Sequence, residues 1–213
     1  MKKILSSISV VLILFTSFSF AQGFKVKASG EQTFNFTDKG GRNQASFFST
    51  TPLEDIRGLS NDVKGTATFN VSDIKTLKGK ISVSVASLKT GIDLRDEHLR
   101  SADWLDAEKY PEITFTIKRV TDVKQLADNR LELKVVGDFT LKGVTKEITA
   151  NATLTYLDES DQTKMRAPGD LLGVQATFQV KLSEFGVKNK IVGQKVAEEV
   201  EVSVNMVGSN KTN

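Results

Sequence analysis

Apolar and polar residues alternate with a period of two along most of this chain. No other feature restricts the fold as much, because period two places successive side chains on opposite faces of a β-strand. Ile81 and Val83 alternate with Ser82 and Ser84, and the pattern runs on to Val85. Ile113, Phe115 and Ile117 alternate with Thr114 and Thr116. Leu131, Leu133, Val135, Phe139 and Leu141 share one phase; Ile148, Ala150, Ala152, Leu154 and Tyr156 repeat it. Ala176, Phe178, Val180 and Leu182 follow, then Val200, Val202, Val204 and Met206. Weaker copies occur at Phe34 and Phe36, at Phe47, and at Ala67, Phe69 and Val71. Turn signals are expected at Lys39-Gly40-Gly41, Asn61-Asp62, Lys78-Gly79, Lys142-Gly143 and Pro168-Gly169.

Each segment is apolar on one face only, so the sheet has one face on a core and one in water. Several runs are about twice the usual five or six residues of a strand. Long strands with one wet face favour an all-β, antiparallel sheet closed into a barrel, which removes its edges. About nine segments fit eight barrel strands with one broken or bent. A two-sheet sandwich stays open on the pattern alone.

The period changes between Thr90 and Pro111, so one short helical insertion is expected at about 93–111. Asp93 is placed to cap it, Asp96 and Arg100 have i,i+4 spacing, and Ser101 could cap a second turn. Tyr110-Pro111 ends it, since a residue before proline avoids the α region. Residues 208–213 read as a loose tail.

The N-terminus reads as an export signal. Lys2 and Lys3 precede an apolar stretch from Ile4 to Phe20, and Ser19-Phe20-Ala21 places small residues at a cleavage site. Residues 1–21 are therefore expected to be removed, leaving a barrel domain at 22–207, periplasmic or secreted. Without Lys2 and Lys3 the charge is 27 basic against 26 acidic residues. That balance offers no single-sign field for nucleic acid. The chain has no Cys, which excludes disulfides, a thiolate nucleophile and a lipidated cysteine.

Catalytic patterns are missing from the sequence: no nucleophile elbow, P-loop or dinucleotide fingerprint. His98 is the single histidine, so no multi-histidine metal site can form within the chain. His98 reads as a structural helix residue bonded to a carboxylate or a loop carbonyl. The carboxylates around 93–112 suit a solvated helix face better than a glycosidase pair. No cofactor and no metal are expected.

The face predicted to point inward mixes large residues (Phe47, Phe69, Phe115, Phe139, Phe178) with small ones (Ala67, Gly137, Ala150, Ala152, Ala176). Small barrels fill their taper by such mixing, and eight strands can also enclose one apolar ligand. The pattern alone leaves both open.

The run Thr90-Gly91-Ile92-Asp93-Leu94-Arg95-Asp96-Glu97-His98-Leu99-Arg100-Ser101-Ala102-Asp103-Trp104-Leu105, continued to Tyr110-Pro111, resembles the YceI-like family. Ile113-Thr114-Phe115 and Gly137-Asp138-Phe139-Thr140-Leu141-Lys142-Gly143 extend the resemblance, which covers about 24–207. It implies a lipocalin-like antiparallel barrel that binds a polyisoprenoid or similar long-chain lipid, with no catalytic residues. The chain differs at Glu184-Phe185-Gly186-Val187, where Asp is usual at the first position. The segment from Ser46 to Lys64 also looks longer than usual.

Under that resemblance the cavity wall is expected to include Phe47, Phe69, Val83 and Val85, then Phe115, Ile117 and Phe139, and finally Ala150, Ala152 and Phe178. His98, Leu99, Trp104 and Tyr110 are expected at a mouth or lid. The expected role is non-catalytic transport or storage of lipid by a monomer or homodimer, without stable membrane insertion. An exported β-sandwich adhesion module and a carboxylate-based hydrolase are the alternatives.

Overall fold

The computed structural model describes residues 22–211. The expected export signal, residues 1–21, lies outside the described residues. Ten strands form one antiparallel sheet: β1 (Glu31–Asn35), β2 (Gln44–Thr50), β3 (Asp55–Ser60), β4 (Val63–Asn70), β5 (Asp73–Ser84), β6 (Glu112–Ala127), β7 (Arg130–Leu141), β8 (Val144–Leu157), β9 (Leu171–Lys181) and β10 (Glu199–Ser209). β1 and β2 succeed one another along one edge of β10, at Asn35↔Ser209 and at Gln44↔Asn205. β3 and β4 likewise lie end to end, pairing with β2 and β1 respectively. The sheet therefore closes as an eight-stranded barrel with two of its staves broken. Closure excludes the two-sheet sandwich.

The break in the first stave is held by side chains. The buried amide of Asn43 donates to the Phe36 carbonyl (2.7 Å) and accepts from the Val207 N–H (2.9 Å), replacing lost ladder bonds. The Arg42 side chain and backbone N–H donate to Asp38, and this holds the Asp38 carboxyl well below its ordinary range despite opposing desolvation. Lys39-Gly40-Gly41 lies in this break and Asn61-Asp62 between β3 and β4, as expected of turns.

Lys78-Gly79 does not turn. It sits inside β5, where Gly79 pairs with Ala67 and a Cβ would lie 2.3 Å from the Thr66 carbonyl oxygen. Glycine here permits close backbone approach beside a register shift, the alternative meaning of glycine in a strand. The tail is also shorter than expected. β10 runs to Ser209, which pairs with Leu171, and the Asn210 amide donates to Gln32 Oε1 (3.0 Å).

Alternation sorts the barrel wall as the sequence predicts. Outward positions of β8 and β9 carry Glu147, Thr149, Asn151, Thr153, Gln175, Thr177 and Gln179. This order is the inverse of a membrane-spanning barrel, whose outer band is apolar. Among the described residues, no helix is long and apolar enough to cross a membrane.

The barrel is closed at one end. The segment before β1 crosses it, with Phe24 N–H donating to the Val71 carbonyl (2.7 Å) and Lys25 N–H to that of Asp128 (2.7 Å). Phe24, Phe34, Phe69 and Tyr156 then pack as one aromatic cluster with ring centroids 5.5–5.7 Å apart. Burial, reinforced by the Asp170 carboxylate that its hydroxyl bonds at 2.7 Å, pushes the Tyr156 hydroxyl far above its ordinary value.

The other end holds the β2–β3 turn, the 85–111 connection, the Lys142-Gly143 turn and the 182–198 connection. Within it α1 spans Asp93–Arg100. Asp93 is its first residue and makes no capping bond; Ile92 occupies the cap. Asp96, 5% exposed, instead reaches back and accepts from the Thr90 N–H (2.6 Å) and hydroxyl (2.5 Å). Ser101 starts turns rather than a second helix, with the Trp104 and Asp106 N–H groups donating to its carbonyl.

Burial raises the Asp96 pKa, but the Thr90 bonds, Arg100 and Lys89 outweigh it and the net direction is downward. A carboxyl depressed in the folded state stabilises above its unfolded value, and that contribution is lost as pH falls through the folded value. Asp96→Asn is therefore expected to cost about 1–2 kcal/mol near pH 7. The gap to wild type should close as pH drops below about 4. Thermal melts of both proteins across pH read this directly; a gap that is constant with pH would show that the charge contributes nothing.

Candidate functional site

Between the aromatic plug and the open end lies a cavity of about 490 Å³. Its wall is the inward face of the barrel, from Phe36, Leu77 and Leu172 near the plug to Phe139, Phe178 and Leu182 near the mouth. Inward side chains such as Phe115, Ile117, Ala176 and Val202 stay half-buried because they face this space rather than one another. Protein interiors tolerate few voids larger than a water molecule. Of the two readings left open by the sequence, the geometry is that of a cavity. Its size falls within the about 300–1,000 Å³ of small-molecule pockets.

Most of the predicted wall is there. Phe47, Val83, Phe115, Ile117, Phe139, Ala150, Ala152 and Phe178 all line the cavity. The Phe115 ring lies across Gly137 of the neighbouring strand, where a Cβ would come within 2.5 Å of it. Phe139 and Phe178 meet edge to face at 5.2 Å, and Phe139 meets Phe185 at 5.4 Å. These contacts fix the rings as walls.

Phe69 and Val85 lie elsewhere. Phe69 belongs to the aromatic plug, because β4 carries it below the cavity floor. Val85 falls just after β5 ends at Ser84; the chain enters a 3-10 turn (Val85–Ser87) and the alternation stops applying. Its side chain packs with Leu88 and Leu105 beside the cavity. Of the predicted mouth residues, His98, Leu99 and Trp104 line the opening. Tyr110 does not: its ring packs on Gly143 in the β7–β8 turn, with Lys109 Nζ 5.2 Å from its centroid.

The mouth draws on three segments that pattern reading could not bring together. The β2–β3 region supplies Ser49, Glu54 and Ile56; α1 and its lead-in supply Thr90, Ile92, Leu94 and Arg95; the 182–198 connection supplies Ile191, Lys195 and Val196. Arg95 reaches Glu54 at 3.6 Å across two of these segments. His98 is exposed and lines this opening, and among the described residues its side chain bonds neither of the expected partners, a carboxylate or a loop carbonyl. Among the described residues, Glu54 is the sole carboxylate on the lining, and none from 93–112 reaches it. Most glycosidases flank their substrate with two carboxyl groups, and the described lining holds one. Among the described residues, no three His, Asp or Glu side chains gather as a metal site.

Residues 22–208 match the YceI-like domain. Protein YceI of Escherichia coli O6:H1 is 32% identical over 210 residues, covering 98% of both chains. The chain belongs to the YceI-like family. Protein YceI of Salmonella newport is 31% identical over the same length. Among solved structures, BcnA of Burkholderia cenocepacia superposes with a TM-score of 0.60 at 19% identity, over 78% of this chain and 96% of its own. A domain from Saccharophagus degradans, described as polyisoprenoid-binding and implicated in plant cell wall breakdown, gives 0.58 at 13% identity, over 85% and 99%. These two show a shared fold. In this YceI-like chain, the Thr90-to-Leu105 run that carried the resemblance contains α1 and builds one side of the mouth. Of Glu184-Phe185-Gly186-Val187, where the chain departs from the usual run, the first two end the 3-10 turn (Leu182–Phe185) and Gly186 caps it, which sets Phe185 against Phe139.

Proposed function

We propose that this protein is a non-catalytic carrier or store for one polyisoprenoid or similar long-chain amphiphilic lipid, working in the periplasm after export. The carrying observation is the long apolar cavity, open at one end only and ringed there by Arg95, His98, Lys195, Glu54 and Thr90. Burial of the hydrocarbon supplies the affinity, at about 0.8 kcal/mol per methylene. The polar ring orients the head group without bond-making. Membership of a family with a neighbour described as polyisoprenoid-binding supports the same ligand class. The N-terminal pattern of Lys2, Lys3 and Ser19-Phe20-Ala21 supports export.

Protein purified without detergent should carry about one lipid per barrel, seen by native mass spectrometry and in a solvent extract. Stripping the lipid should lower the melting temperature, and adding it back at a hundred times its Kd should restore about 2.7 kcal/mol. An empty extract together with no response to added isoprenoids would end the carrier reading.

A further inference from the structure

The open end of the barrel carries apolar side chains on its outside as well as its inside. Leu53 is 77% exposed at the β2–β3 turn, Leu94 61% in the first turn of α1, and Ile92 50% just before it. The Arg95–Glu54 contact at 3.6 Å holds these two segments together at one rim, and Ile92 and Leu94 also line the opening. Beside them, residues 185–197 contain Lys188, Lys190 and Lys195 and no carboxylate. All three lysines are exposed, and Lys195 reaches the opening. Backbone bonds from Gly193 to Val196 and from Lys195 to Ile191 hold this loop in shape. The exposed carboxylates at this end include Glu54, which lines the opening and pairs with Arg95, Glu184, which pairs with Lys146 at 3.3 Å, and Asp55, Asp93 and Glu97, which do not line the opening.

We infer that this rim docks on the surface of an anionic phospholipid bilayer. Apolar tips next to lysines are the chemistry of an interfacial anchor: leucine-type side chains enter the acyl boundary while lysines meet phosphate. The position of the patch selects a bilayer over a protein partner. It borders the opening through which an apolar chain enters, and each methylene that had to cross water would slow transfer about fourfold. Docking mouth-down lets the chain pass from membrane to cavity without that step. The inference rests on the lipid-cavity reading for its purpose, but the two can fail separately.

The test is flotation of the purified protein with phosphatidylethanolamine–phosphatidylglycerol vesicles and with pure phosphatidylcholine vesicles. Wild type is expected to float with the first, to bind the second weakly, and to be released by salt. Leu53→Glu should weaken flotation at least about tenfold, and Lys188→Glu with Lys190→Glu by a similar factor. Met165→Ser, which alters the 87% exposed methionine at the closed end, should change nothing. Leu53, Lys188 and Lys190 do not line the cavity, so these variants should take up farnesol from solution as wild type does. Wild type that fails to float with phosphatidylglycerol vesicles, or rim variants that float equally well, would overturn the inference. So would rim variants that only convert a dimer to a monomer in sedimentation. Farnesol uptake without flotation would refute docking alone; flotation without uptake would uphold docking and refute the cavity reading.

Discussion

Replacing Ala150 by Trp is expected to exclude the lipid while leaving the barrel folded. Ala150 is 4% exposed, pairs with Val135 across β7 and β8, and lies on the cavity wall in the cluster of Phe139 and Phe178. An indole there projects into the cavity instead of into packed neighbours. Bound lipid should fall from about one per barrel to less than about a tenth of that, as losing several buried methylenes costs several kcal/mol. Stability should fall by no more than the about 1–3 kcal/mol usual for overpacking. Ala152→Trp, on the same strand and facing Leu133 and Ala176, is a second route to the same result. Thr116→Ser, on the exposed face, should alter neither lipid content nor stability. Native mass spectrometry with thermal melts reads all three. If both tryptophan variants unfold outright, the interior has no usable space and the carrier reading fails.

Phe69→Ala should separate stability from binding in the opposite sense. Phe69 is fully buried, stacks on Phe34 with ring planes 13° apart, and tilts against Phe24 at 5.7 Å. Truncating a buried phenylalanine costs about 3–5 kcal/mol. In a domain of this size each kcal/mol moves the melting temperature by about 2–4 °C. A fall of roughly 6–20 °C is therefore expected. Phe69 is not on the cavity wall, so lipid stoichiometry below the new melting point should match wild type. Lipid loss from the folded variant would mean that the apolar chain reaches the plug.

The inward and outward faces of the strands were legible because their information is local. Period two follows from strand geometry, so eight of the ten expected wall residues are on the cavity whatever the order of the strands. The two that are not mark where the local rule ends. Val85 leaves the strand for a 3-10 turn. Phe69 obeys alternation but sits at a height along the barrel that alternation does not encode. Gly79 was misread because glycine permits both turns and close strand approach, and only its partner on β4 distinguishes them.

The mouth was the least legible part. Glu54, Arg95 and Lys195 are far apart in the chain and come together only because the connections at one end of a closed barrel converge. No periodicity carries that proximity. Asn43 is similar: its value lies in a bond to Val207, a residue 164 positions away.

By itself, then, this sequence determined an all-β chain with an apolar and a polar face, a single helical interruption near 93–111, and a family resemblance carried by the Thr90-to-Leu105 run. The tertiary structure decided whether the apolar face closes on itself or on a space. Alternation specifies which side chains face inward, whereas the radius they must fill is set by how many staves close the barrel and how far they shear. Neither quantity is written in any one strand. With eight staves, an aromatic plug at one end and alanines at 150, 152 and 176, the inward faces stand too far apart to meet, and the difference is the cavity of about 490 Å³.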